Sequence, residues 1–212
     1  MQRRTIIIAI AAAAFALAAP ALAADKTLEA DKAFPYLAAY LKLPLAERNH
    51  FTMAYYLHLG AEPLKAPAWL VEGAKRTPLS LRADGKVERL PDLAQLEHGQ
   101  LEIGIDAATK INNVLGVEPL LAPATDLDAH ELAVAIAQAA VGSRKAVGVM
   151  AMAMPKLTNV GFVGVPSGEV EFADGHKAPL PLVKGVPTYT PEAQPNATRI
   201  HLPAVPRKLD MG

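Results

Sequence analysis

The sequence predicts an α+β fold of two similar units, each a small antiparallel β-sheet covered by one helix. Two observations predict the class. Stretches such as 51–59 and 100–105 alternate apolar and polar residues with the two-residue period of half-buried strands, and helical spacing marks a few segments between them. A third observation predicts the two units. Helix, long strand, short strand, Ala-Asp-Gly hairpin and closing strand occur in the same order twice, as an internal duplication would produce. The units are expected over residues 24–106 and 127–212, joined by a linker over 107–126 and preceded by a signal peptide over 1–23.

The leader carries the three zones of a secretory signal. Arg3 and Arg4 form a basic head, residues 5–23 are uncharged and mostly Ile, Ala and Leu, and Ala21-Leu22-Ala23 offers small residues to a signal peptidase. The apolar run approaches the roughly 20 residues of a membrane anchor, but Pro20 and the Ala-Leu-Ala site favour cleavage after Ala23. Only Met1 and Gln2 precede the arginine pair, which favours the general secretory route over the twin-arginine one. The expected location is the periplasm.

In the first unit a helix is expected over 34–43. Phe34, Leu37 and Leu41 share a face, Pro35 is tolerated as a first helical residue, and Pro44 ends it. Phe51, Met53, Tyr55, Leu57 and Leu59 place a strand over 51–59. Trp69-Leu70-Val71 is a second strand. Residues 78–81 and 86–90 flank Ala83-Asp84-Gly85 as a hairpin, and 100–105 closes the unit. The linker contains Pro119, Pro123 and an expected helix over 107–115. The second unit opens with a helix over 128–141, capped by Asp128, with Glu131 in capping-box position and Gly142 as its stop. Strands are expected over 147–154, 160–165, 169–172 and 198–202, with a hairpin at Ala173-Asp174-Gly175. The Pro-rich 187–195 and 203–206 read as edges or loops.

Composition narrows the function. Loss of Arg3 and Arg4 leaves 19 basic against 21 acidic side chains, a charge near −2. The Lys75-Arg76 and Arg144-Lys145 pairs are isolated, so no basic stripe is available for nucleic acid. The chain has no cysteine. A lipid anchor on sulfur, disulfides, iron–sulfur clusters and Cys-ligated zinc are thereby excluded, and stability rests on the apolar core. After the signal the most apolar stretch, 146–168, is interrupted by Pro155, Lys156, Asn159 and Pro166, so no membrane span is expected.

Catalytic motifs are missing from the sequence. Ser80, Ser143 and Ser167 lie in no nucleophile elbow or Ser-x-x-Lys motif. His130-Glu131 lacks the second histidine of a zinc-protease helix, with Val134 in its place. Asp126 with Asp128, or Glu169 with Glu171, could form an acid–base pair, but Glu169 and Glu171 read as the solvent row of a strand. His58 shares a strand face with Thr52, Ala54 and Tyr56 and reads as an exposed or hydrogen-bonded sheet histidine. Met150, Met152 and Met154 alternate with Ala151 and Ala153, which on a strand aims three thioethers one way. Such a row suits Cu(I). No His-Met cluster surrounds it in sequence, so gap-filling under a neighbouring helix is the favoured reading.

Residues 51–57, Ala68-Trp69-Leu70 and 168–175 (Gly-Glu-Val-Glu-Phe-Ala-Asp-Gly) make the chain resemble an uncharacterised family of secreted proteobacterial proteins, a domain of unknown function. The resemblance implies an envelope location and a mixed helix–strand fold, and implies no activity. The functional expectation is therefore a soluble, non-enzymatic periplasmic binding or protein-interaction module. It would take an envelope protein, a peptide or a small molecule, without a cofactor, at a sheet edge or in the groove between the units. The alternatives are a copper-handling protein using Met150, Met152 and Met154, and a carboxylate-dependent hydrolase.

Overall fold

The computed structural model describes residues 25–148 and 156–212. The expected signal segment, 1–23, and Met150, Met152 and Met154 lie outside the described residues. The N-terminal half runs β1 (Asp25–Glu29), α1 (Ala30–Ala33), α2 (Leu37–Lys42), a 3-10 turn at Leu45–Glu47, β2 (Phe51–Leu59), β3 (Glu62–Pro63), β4 (Ala68–Glu72), β5 (Lys75–Pro78), α3 (Leu93–His98), β6 (Gln100–Asp106) and β7 (Asn112–Pro119). The C-terminal half follows with β8 (Asp126–Asp128), α4 (Ala129–Val147), β9 (Val160–Val163), β10 (Glu169–Phe172), β11 (Lys177–Pro179), β12 (Leu182–Val183), β13 (Val186–Tyr189), β14 (Ala197–His201) and β15 (Lys208–Met211). The fold is α+β, with four antiparallel sheets among the described residues. Their strand orders are β1-β6-β4-β5, β3-β2-β7, β8-β14-β10-β11 and β12-β13-β9-β15.

The strand β2 organises the first half. Its Phe51, Met53, Tyr55 and Leu57 are buried, and the first helices lie over them. Phe34 meets the Tyr55 ring edge-on at 5.3 Å, and Tyr40 meets Phe51 at 5.4 Å. A buried phenol needs an acceptor. Tyr55 Oη donates to the Pro35 carbonyl at 2.5 Å and Tyr40 Oη to the Phe51 carbonyl at 2.8 Å. The expected helix over 34–43 is therefore split. Phe34 leaves the helical region (φ −126°, ψ 67°) because the residue before a proline is driven from it, and Tyr36 takes φ +66° before α2 begins.

Two further expectations change. Residues 107–115 do not form a helix. β7 pairs with β2 from Phe51↔Pro119 to His58↔Asn112. The segment holds Asn112, Asn113, Val114, Gly116 and Val117, all weak helix formers, and β2 needs a partner along its full length. The helix α4 starts as expected, with the Asp128 carboxylate accepting from Glu131 N–H at 3.0 Å, but continues through Gly142 to Val147. Gly142 is an interior contact. A Cβ there would lie 2.7 Å from Phe51 Cζ and 2.9 Å from the Glu47 carbonyl oxygen.

Only one Ala-Asp-Gly turn joins two strands of a regular hairpin. Residues 173–175 connect β10 to β11. Ala83-Asp84-Gly85 lies in a turn with the same hydrogen-bond pattern, closed only by the isolated bridge Leu81↔Val87, and the edge hairpin of the first sheet is β4–β5.

The two halves share one apolar core, in which Phe51, Tyr55 and Leu101 join Leu132, Phe162 and Ile200. α4 packs on α2, β2 and β7 as well as on β14, and β15 lies against β7. β15 covers the second face of β2, where Ala54 and Tyr56 are buried and Lys208 lies over the Tyr56 ring. No helix among the described residues is long and apolar enough to cross a membrane.

Candidate functional site

Where the halves meet, they leave a cleft of about 590 Å³. Its first wall carries Tyr56 and His58 from β2 and Arg82, Ala83 and Asp84 from the turn above them. Its second wall carries Val163 from the end of β9 and Arg207 and Lys208 from the start of β15. This volume falls in the range of small-molecule sites.

Backbone bonds set the turn in place. Leu57 N–H donates to the Gly85 carbonyl at 2.9 Å, and Val87 N–H to the Tyr55 carbonyl at 2.8 Å. Gly85 is required here. Its φ is +83°, and a Cβ would stand 2.6 Å from the Leu57 carbonyl oxygen and 3.0 Å from His58 Cδ2. His58 Nε2 lies 3.2 Å from the Asp84 carbonyl, so the histidine belongs to the turn as a hydrogen-bonded sheet residue.

Beside the cleft floor, the Glu118 carboxylate accepts from Tyr56 Oη on one oxygen and from Lys86 Nζ on the other. Glu118 is 7% exposed. The three side chains tie β2, β7 and the turn strand together and satisfy one another. Burial, then the adjacent Glu118, pushes the Tyr56 phenol well above its usual value. Tyr56 is thus held as a hydrogen-bond donor to Glu118. Burial likewise raises Tyr40, Tyr55 and Tyr189.

These phenols give the fold an alkaline limit. The native state keeps protons that the unfolded chain releases above about pH 10. Their contribution is complete below that pH and is lost as pH rises through the raised native values. Tyrosinate absorbance and circular dichroism followed together should show ionisation of these phenols coinciding with unfolding above about pH 10. Ionisation complete before any loss of structure would contradict the burial.

The cleft charges are unequal. Arg82, Arg207 and Lys208 face one lining carboxylate, Asp84. Arg82 Nη2 is 3.5 Å from Asp84 Oδ2 and 3.5 Å from the Arg207 carbonyl, the latter contact joining the two halves. Lys208 Nζ lies 3.1 Å from Asp210 Oδ1 and 4.9 Å from the Tyr56 ring centre.

The other residues considered from sequence fall elsewhere. Asp128 caps α4, and Glu169 is exposed. Asp126 and Glu171 come together around His201, with Asp126 Oδ2 3.0 Å from Nδ1 and Glu171 Oε2 2.8 Å from Nε2. Hydrogen bonds from His201 and Lys177 hold Glu171 below the usual carboxylate range. None of these residues lines the cleft. Ser143 is buried and donates to the Ala139 carbonyl at 2.6 Å. No group of three or more His, Asp or Glu among the described residues is arranged to hold a metal ion. Sequence reasoning passed over Arg82, Arg207 and Lys208. An Arg-Lys pair directly after the Pro-rich 203–206 was the available signal.

No family model matches the chain, and no curated protein or solved structure matches it.

Proposed function

We propose that this chain is an exported, non-enzymatic binding module of the cell envelope, built from a duplicated α+β unit that receives its ligand between the two copies. The cleft lined from both halves carries the reading. Two units that meet through part of their surfaces leave a concave junction, where ligand sites concentrate.

Duplication is supported by pairing as well as by order. The sheets β1-β6-β4-β5 and β8-β14-β10-β11 take their strands from corresponding places in the two halves. Leu101 stands between Leu28 and Leu70 in one, and Ile200 between Leu127 and Val170 in the other. Leu79 N–H donates to the Ala68 carbonyl and Leu180 N–H to the Gly168 carbonyl, each at 2.8 Å. The strand pairs β2–β7 and β9–β15 follow the same plan, with Tyr55 and Phe162 both fully buried.

Export is supported by the leader at residues 1–23. Binding without catalysis is supported by the cleft chemistry. Its lining carboxylate is paired with Arg82, and its phenol keeps its proton.

Purification of the secreted protein after expression of the full chain in its own host tests this reading. A small molecule or peptide should co-purify with the wild type. Val163→Trp, which places an indole in the cleft, should abolish co-purification while leaving the thermal melt intact. Equal co-purification with both proteins would contradict it.

A further inference from the structure

We propose that the cleft takes a small, multiply charged anion, bound through carboxylate or phosphate oxygens by Arg207, Lys208 and Arg82. The proposal rests on the reading of the cleft as a binding site and adds the chemistry of its ligand.

Charge distribution is the first argument. The whole chain balances 21 basic against 21 acidic side chains. The cleft lining does not, since Arg82, Arg207 and Lys208 face Asp84 alone, and with Asp210 beside Lys208 the cations still exceed the acids by one. Lys86, close by, is consumed by Glu118 and adds nothing.

The second argument is how Arg207 is placed. Its side chain lies flat across Gly164, where a Cβ would meet Arg207 Cγ and Nε at 2.9 Å. Any larger residue at 164 would displace the guanidinium from the wall. Arg207 N–H is anchored to the Val163 carbonyl at 2.7 Å. Among the described residues, Arg207 has no ion-pair partner. A guanidinium so positioned presents a planar fork that matches a carboxylate or phosphate.

The third argument is that the cations stand on opposite walls. Arg82 belongs to the first half, and Arg207 and Lys208 to the second. A ligand with two or more anionic groups can engage both walls at once. The two Arg82 contacts, each at 3.5 Å, are long for charge-assisted hydrogen bonds, so a ligand oxygen can replace them. Ala61, Pro63, Ala83 and Val163 add apolar lining around the cations.

Isothermal titration at low ionic strength with two probes, citrate and inorganic pyrophosphate, tests the proposal and separates carboxylate from phosphate as the source. One probe or both should bind saturably at one site, and added salt should weaken the binding. Arg207→Ala should weaken it about ten- to a hundredfold, the loss of a charged hydrogen-bonding partner. Arg207→Lys should restore only part. Asp84→Asn should strengthen it, because it removes the competing carboxylate while keeping an acceptor for Lys86 N–H. A purely structural role for these residues would not produce that gain. Absence of binding by either probe, or binding indifferent to Arg207→Ala and Asp84→Asn, would overturn the anion proposal. If Val163→Trp still abolishes co-purification in that case, the cleft remains a binding site for an uncharged ligand. If it does not, the cleft reading falls as well.

Discussion

Glu118→Ala is expected to destabilise the fold by about 3 kcal/mol, measured by urea unfolding. The substitution leaves Lys86 charged and four-fifths buried with no acceptor, and leaves the Tyr56 hydroxyl without its partner. Breaking one side of a buried pair costs more than removing both sides. The double variant Glu118→Leu with Lys86→Met should therefore recover most of the loss. Tyr56→Phe keeps the ion pair and should cost only about 1 kcal/mol. Equal losses for Glu118→Ala and the double variant would show that the charges are solvated in solution. The cluster also holds the turn carrying Arg82 against β2.

Gly142→Ala is expected to destabilise by about 1–2 kcal/mol, although glycine inside a helix is ordinarily worse than alanine by about 1 kcal/mol. The added carbon meets the Phe51 ring and the Glu47 carbonyl oxygen, and neither can withdraw cheaply. Phe51 is fully buried and fixed edge-on against Tyr40, and the Glu47 oxygen belongs to the backbone. Val141→Ala, one residue earlier and exposed, should be neutral or slightly stabilising in the same assay. Stabilisation by Gly142→Ala would mean that α4 stands farther from β2 than described.

The same residue shows how sequence patterns mislead. Gly142 follows a well-formed helical stretch and reads as a stop, because a glycine after the last apolar turn commonly ends a helix. Its actual role depends on Phe51, far away in the chain, which no local pattern reveals. What was legible locally was the strongly patterned material. β2, β4, β6 and β10 alternate clearly, and the Asp128 cap works through a bond spanning three residues. The strands β1, β8 and β15 were missed because they are short and carry charges, such as Asp25, Lys26, Lys208 and Asp210. They are strands because β6, β14 and β9 offer them partners. β13 begins beside Pro187 and read as a loop for that reason.

The place of the turns in the sheets was not legible. The two Ala-Asp-Gly turns read as matching hairpins, whereas only 173–175 joins two strands of a sheet, and the edge hairpin of the first sheet is β4–β5. The cleft was anticipated only as a groove between units. Arg82 and Arg207 are brought together from opposite halves by the packing of β15 against β7. Nothing in the spacing of either arginine announces that meeting.

Backbone hydrogen exchange of the purified protein, with and without a filtered small-molecule extract of its own host, tests the proposed ligand binding between the halves most directly. The expected result is added protection at His58, at 83–85 and at Arg207 together, from both walls of the cleft. Protection confined to one half, or appearing only away from these residues, would contradict a ligand seated between the two.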